Sequence, residues 1–223
     1  MKNDLLNLLL LALTFLLLFA LSEFLYHQYK IKVELTRKLV HIGTGLVCLL
    51  FPILLKNHWS VLFLCGLFAV ILLLSLKFNL LKSINAVDRK SVGSIVYPVA
   101  VYLCFLIQTS LDECYIYYYL PLVTLAICDP MAALSGKKWP LAQYKIFGAK
   151  KTLMGSTVFF ICAMIVMFLT WRSVYNSNLD SEEFIVIATI ALTATLAEAF
   201  SKDGYDNLTI PVSILVCLYI YFP

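Results

Sequence analysis

Charge is scarce in this sequence. Asp, Glu, Lys and Arg make up 13% of its 223 residues, while 62% are hydrophobic and the mean hydropathy is +0.91. A water-soluble domain carries roughly a quarter charged residues, so the shortfall points to a polytopic membrane protein. Paired cysteines are missing too. The seven Cys stand singly, mostly inside apolar runs (Cys48, Cys65, Cys104, Cys162, Cys217), with no C-x-x-C pair. They read as small core or lipid-facing residues, not as a disulfide framework or a metal site. A Walker A loop, G-x-x-x-x-G-K-[ST], is absent. So are a fixed-period repeat and a low-complexity linker, which leaves one helical domain over residues 1–223 as the simplest organisation.

What the sequence has is a series of long apolar runs. A hydrocarbon core about 30 Å thick needs about 20 residues of helix. Candidate spans are 5–26, 39–55, 58–76, 92–109, 115–135, 155–172, 184–201 and 208–222. The last is short enough to be tilted or partial. Only helices or closed barrels satisfy their backbone in lipid, and runs without period-2 alternation select helices. The expected fold is all-α, with seven to eight transmembrane helices. The first run follows Lys2 but lacks a convincing cleavage site, so it reads as an uncleaved span.

The sparse charge is placed asymmetrically. Segments 27–38, 77–91, 136–154 and 202–207 hold 14 of the 17 Lys and Arg, leaving only Lys2, Lys56 and Arg172 for the other side. The positive-inside rule then puts these four segments in the cytoplasm and both termini outside.

Four polar clusters sit at the basic ends of the spans. In "TRKLVHIGTG", Arg37 and Lys38 precede the second span, and His41 shares a helical face with Arg37. The plainer reading is a positive-inside flank. In "AICDPMAALSGKKWP", Asp129 closes an apolar stretch and precedes Pro130 and Gly136. An ionisable residue within a span is expensive and defaults to a functional role, against the plainer reading of an interfacial Asp paired with Lys. Pro130 removes a backbone donor beside it. In "KIFGAKKTLMGS", Gly148, Gly155 and Ser156 surround Lys150 and Lys151 ahead of a helix, which makes either a phosphate cradle or a plain basic loop. In "AEAFSKDGYDNLTIPV", Glu198 lies i,i+4 from Lys202 and can pair with it. That pair leaves Asp203, Asp206 and Asn207 unexplained. Asp206-Asn207 can cap the last helix, or supply oxygen ligands of the kind that suit Mg²⁺ with substrate phosphates. Carboxylates and cations on one membrane face, within reach of lipid, suit phosphoryl or nucleotidyl transfer to a lipid.

These stretches, with "DRKSVGSIVYP" (88–98), resemble the CTP-dependent lipid-alcohol kinases: phytol and farnesol kinases, dolichol kinase and CTP-dependent diacylglycerol kinase. These are similar in turn to the integral-membrane phosphatidate cytidylyltransferases. The matching pieces run in family order from residue 37 nearly to the end of the sequence. By that resemblance, Arg37 and Lys38 match the basic pair and Asp129 and Gly136 the D-x6-G element. Lys151, Gly155 and Ser156 match K-[ST]-x-x-G-S, and Glu198, Asp206 and Asn207 the terminal element. The short ending "KDGYDNLTIP" is closer to the kinases than to the cytidylyltransferases.

The resemblance implies a kinase using Mg²⁺ and CTP on a membrane lipid alcohol at the cytoplasmic face. Lys150, Lys151, Gly136, Gly148, Gly155, Ser156 and Asn207 would hold the nucleotide. Arg37 and Lys38 would neutralise charge. Asp129 or Asp206 would ligate Mg²⁺, and the other, or Glu198, would orient or deprotonate the hydroxyl. Expected partners are the lipid alcohol, a nucleoside triphosphate and the bilayer, with no nucleic acid; oligomeric state is open. Two rival readings use the same residues. One is a cytidylyltransferase making a CDP-activated lipid. The other is an ion or proton transporter, which would need a polar track across the membrane.

Overall fold

A computed structural model describes residues 2–86, 91–175 and 180–222. Asp88, Arg89 and Lys90 of "DRKSVGSIVYP", and residues 176–179, lie outside the described residues. The helices, in chain order, are α1 Lys2–Gln28, α2 Val33–Cys48, α3 Phe51–Leu54, α4 His58–Lys77, α5 Lys82–Asn85, α6 Gly93–Ser110 and α7 Ile116–Lys138. A hairpin of β1 Gln143–Ile146 and β2 Ala149–Thr152 follows, then α8 Leu153–Tyr175, α9 Ser181–Phe200 and α10 Asp206–Tyr221. Among the described residues, seven stretches are long and apolar enough to span a bilayer, with α2 and α3 counting together as Val33–Leu54. The protein is an all-α, polytopic membrane protein, as its composition requires. The apolar helices have no polar face because their outer surfaces, such as Leu9, Leu13 and Leu17 of α1, face lipid.

The boundaries depart from the sequence reading in three places. Span 39–55 begins earlier, at Val33, and breaks after Cys48, where Pro52 opens the short α3. Helix α7 passes through Pro121 and Pro130 and continues to Lys138, because hydropathy marks only the part of a helix that lies in lipid. The hairpin replaces an expected basic loop. Phe147 (φ 48°) and Gly148 (φ 86°) form its two-residue turn, with both residues in the left-handed region that such turns require. Strands of four residues around Phe-Gly, not Asn-Gly, give a weak hairpin signal.

Five helices close a ring. Helix α1 packs on α2, α2 on α7, α7 on α6, α6 on α4, and α4 returns to α1. Helices α8 and α10 buttress α7 on the other side, and α9 packs on both of them.

Hydrogen bonds at the far end of the bundle level the helices. The Tyr117 hydroxyl donates to the carbonyls of Leu218 (3.3 Å) and Phe222 (2.6 Å), tying the end of α10 to the start of α7. Trp171 donates to Glu183 (3.3 Å) and packs on Phe222, which brings α8 and α9 to the same level. At about 1.5 Å per residue, Asp129 lies about 18 Å along α7 from Tyr117, and Asp206 about 18 Å along α10 from Leu218. Glu198 lies about 22 Å along α9 from Glu183 by the same rise. Three carboxylates distant in sequence thus reach one depth, opposite the anchored end.

Candidate active site

The carboxylates meet cations there in two cells. In the first, Lys38 of α2 donates to Asp129 Oδ2 of α7 at 2.8 Å, and both side chains are buried. His41, one turn on from Lys38, places Nε2 3.9 Å from the same oxygen and donates to the Leu125 carbonyl at 3.2 Å. A carbonyl only accepts, so this bond fixes the Nε2–H tautomer. The His41 ring meets Tyr97 edge-on at 5.3 Å. In the second cell, Lys151 of β2 donates to Glu198 of α9 and lies 3.7 Å from Asp206 Oδ2 at the start of α10. Burial alone pulls the Lys151 ammonium down, but the carboxylates of Glu198 and Asp206 outweigh it and hold the group above the usual lysine value.

The pairing of Glu198 with Lys202 expected from the sequence is not made. Helix α9 ends at Phe200, so Lys202 lies past the last turn and off the face that carries Glu198. The expected cap also shifts. Asp206 is the first residue of α10, behind Tyr205, and its Oδ1 accepts from the adjacent Asn207 N–H, at 3.2 Å. Asn207 instead donates through Nδ2 to the Gly93 carbonyl at 2.9 Å, and Val92 N–H donates to the Asp203 carbonyl at 2.8 Å. These bonds fasten the 201–207 corner to the start of α6.

Lys150 and Lys151 do not face the same way. Neighbours on a strand face opposite ways, so Lys150 is exposed beside its register partner Lys145, while Lys151 turns inward. Part of the expected helix-start cradle is also occupied: Leu153 N–H donates to the Ala142 carbonyl (3.1 Å) and Gly155 N–H to Thr152 Oγ1 (3.0 Å). Gly136 and Gly155 have a packing reason to be glycine. A Cβ on Gly136 would stand 2.5 Å from Thr152 Oγ1 and 3.4 Å from Gly155 Cα, where α7 and α8 cross. Ser156 holds the hairpin to α8 through Tyr144, at 2.6 Å. Arg37 reaches Glu34 at 3.5 Å, and Glu34 also meets Lys137 at 3.9 Å.

All twelve residues singled out in the sequence line one cavity of about 970 Å³. Its mouth draws on all four basic segments, through Lys32, Glu34, Arg37 and Lys38, through Ala86 and Ser91, through Gly136 and Lys151, and through Lys202 and Asp206. His41, Thr44 and Tyr97 line it as well. The sequence signal for His41 was its helical spacing from Arg37, whereas Thr44 and Tyr97 lie within "TRKLVHIGTG" and "DRKSVGSIVYP" with nothing in the spacing to give either a role.

Among the described residues no three His, Cys, Asp or Glu side chains converge as a ready-made metal cage. Mg²⁺ does not require one, since one or two carboxylates and substrate phosphates commonly suffice. The donor set fits that pattern. Asp129, Asp206 and Glu198 supply hard oxygens, and Glu198 Oε2 is buried without a hydrogen-bond partner among the described residues.

Comparison with known proteins finds a phytol kinase from Synechocystis sp., 32% identical over 182 residues. The match covers 80% of this chain and 76% of that protein. No family model matches the chain, and no solved structure does.

Proposed function

The chain belongs to the lipid-alcohol kinase family that includes this phytol kinase, and from that premise we propose that it transfers the γ-phosphoryl group of a nucleoside triphosphate, CTP by family resemblance, to the hydroxyl of a membrane lipid alcohol. The observation that carries the reading is the pair of Lys–carboxylate cells at the mouth of a cavity whose interior is apolar. A charged donor enters from the basic face, and a greasy acceptor meets it from the membrane. The excess of Lys and Arg at this end argues that the face is cytoplasmic.

In the mechanism, each cell exchanges partners when the triphosphate arrives. Lys38 and Lys151 turn from carboxylate to phosphate oxygens, with Arg37 behind them. Asp129 or Asp206 would hold Mg²⁺, which when bound neutralises charge across the phosphates. The alcohol oxygen attacks the γ-phosphorus and the bond to the β-phosphate oxygen breaks. The nucleoside diphosphate leaves, and the alcohol proton passes to Glu198 or to whichever Asp is not engaged. Positioning and fixed charge supply most of the rate, so loss of one such contact costs about a hundredfold or more.

A matrix of lipid alcohols against CTP, ATP, GTP and UTP, with purified protein and mass-spectrometric detection, tests the reading. Lipid monophosphate with CTP is the expected product. Label passing into lipid from the α- but not the γ-position of CTP would instead make the protein a cytidylyltransferase. No product with any pair would overturn phosphotransfer.

A further inference from the structure

Behind the ion-paired cells the same cavity continues inward as an apolar chamber inside the helix ring. Phe15 and Phe19 of α1 and Phe68 of α4 form its side wall. Their rings meet across the α1–α4 seam, with Phe15 and Phe68 centroids 4.6 Å apart and Phe19 and Phe68 5.9 Å apart. This aromatic row closes the ring toward the lipid. Phe51 of α3 and Leu64 of α4 close the deep end, and each is fully buried. Phe51 also packs edge-on against Phe15 at 6.2 Å.

The chamber is therefore blind. A polar track across the bilayer would need ionisable groups along its length. Here the charged lining ends at the level of Asp129 and His41, and past the hydroxyl of Thr44 the deep lining is Phe, Leu, Val and Cys. Its depth follows from α2. From Lys38 to Cys48, both on the lining, is ten residues, about 15 Å at 1.5 Å per residue. The whole cavity of about 970 Å³ includes the polar mouth. That leaves room for one hydrocarbon chain of limited length, and none for the two chains of a diacylglycerol side by side with a nucleotide.

We propose that this chamber takes the single apolar tail of the acceptor alcohol and that its floor, Phe51 and Leu64, sets the longest chain accepted in full. The proposal rests on the lipid-alcohol kinase reading and narrows it to alcohols with a single apolar chain whose length the floor limits. With the tail down the chamber, the hydroxyl comes to rest at the neck beside His41 and Asp129. Chain length then becomes a packing question. One methylene too many or too few in an apolar pocket changes specificity about tenfold to 200-fold.

The test uses isoprenoid alcohols of two, three, four and six units, together with a diacylglycerol. Two substitutions act in opposite directions. Cys65→Trp fills the chamber from α4, where Cys65 lines it. It is expected to lower kcat/KM for the four-unit alcohol relative to the two-unit one by about tenfold or more. Phe51→Ala deepens the floor and is expected to raise the six-unit to four-unit ratio. Folding of each variant is judged by monodispersity and Tm. A third measurement needs no variant and no turnover: a four-unit alcohol with a photoreactive group at its tail end, cross-linked to the wild-type protein. Its adducts are expected on peptides containing residues 48–51 and 64–68. Adducts confined to the lipid-facing surfaces, or folded variants with an unchanged chain-length profile, would overturn the chamber assignment. Failure of the wild-type protein to phosphorylate any alcohol would overturn the kinase reading instead, while the cross-link still reports on the chamber.

Discussion

A lysine and an aspartate buried against each other are costly to assemble and costlier to separate. Lys38 and Asp129 are both buried, so removing either leaves an uncompensated charge in a low dielectric. Breaking such a pair costs about 3–5 kcal/mol, whereas replacing both partners with apolar residues is often neutral. Lys38→Met is therefore expected to lower Tm sharply, and Lys38→Met with Asp129→Leu to recover most of it. Activity should recover in neither. Recovery of both stability and turnover in the double variant would make the pair a structural contact only. Lys151 gives a separate signature in pH. Its pKa is raised in the fold, so the folded state holds the proton more tightly than the unfolded chain does. The resulting stabilisation is complete below the unfolded lysine value of about 10.4 and is lost as pH rises through the higher folded value. Lys151→Arg removes that titration. The Tm difference between wild type and variant should stay constant from neutral pH to about 9, then move against the wild type above about 10. A difference that drifts near neutrality would mean that another group carries the linkage.

At the scale of elements, the crossing of α7 with α8 sets the position of Lys151. Gly136 and Gly155 let β2 and the start of α8 lie against α7, with Thr152 Oγ1 filling the space where a Cβ of Gly136 would stand. Gly136→Ala must push β2 outward, and a shift near 1 Å can cost about a hundredfold in rate. Turnover should fall by that order with Tm changed little. Thr152→Ala in the same chain should restore part of it by vacating the contested space. No rescue would place the fault elsewhere. This crossing also shows what the sequence could and could not convey. The spans were legible because twenty apolar residues have few other uses, and Asp129, Glu198 and Asp206 because charge in such runs is costly. Their pairing was not legible. Glu198 had a local partner in Lys202 by helical spacing, and only the end of α9 at Phe200 and the hairpin from 143 to 152 give it Lys151 instead. The opposite facing of Lys150 and Lys151 likewise follows from a strand that short apolar and basic stretches do not announce.

For the whole molecule, the open question is parity, which α10 decides. At 16 residues it falls short of the seven stretches long enough to span, and its length of about 24 Å is below a hydrocarbon core of about 30 Å. A helix of that length could in principle turn back. Its far end, however, is bound by Tyr117 at the start of α7 and covered by Trp171 near the end of α8, so it reaches the face opposite the cavity mouth. Its near end starts deep, which is why Asp206 meets Lys151 and Glu198 inside the bundle and not at its surface. If α10 crosses as well as the seven longer stretches, the chain crosses eight times, which predicts that its two ends lie on one side, away from the basic face. Tags placed at the two ends should show the same accessibility to protease in intact cells, and both should be exposed if the basic segments are cytoplasmic. Ends on opposite sides would mean that α10 does not cross. The recessed carboxylates would then need another cause, since the shortness of α10 is what draws that corner of the site into the membrane.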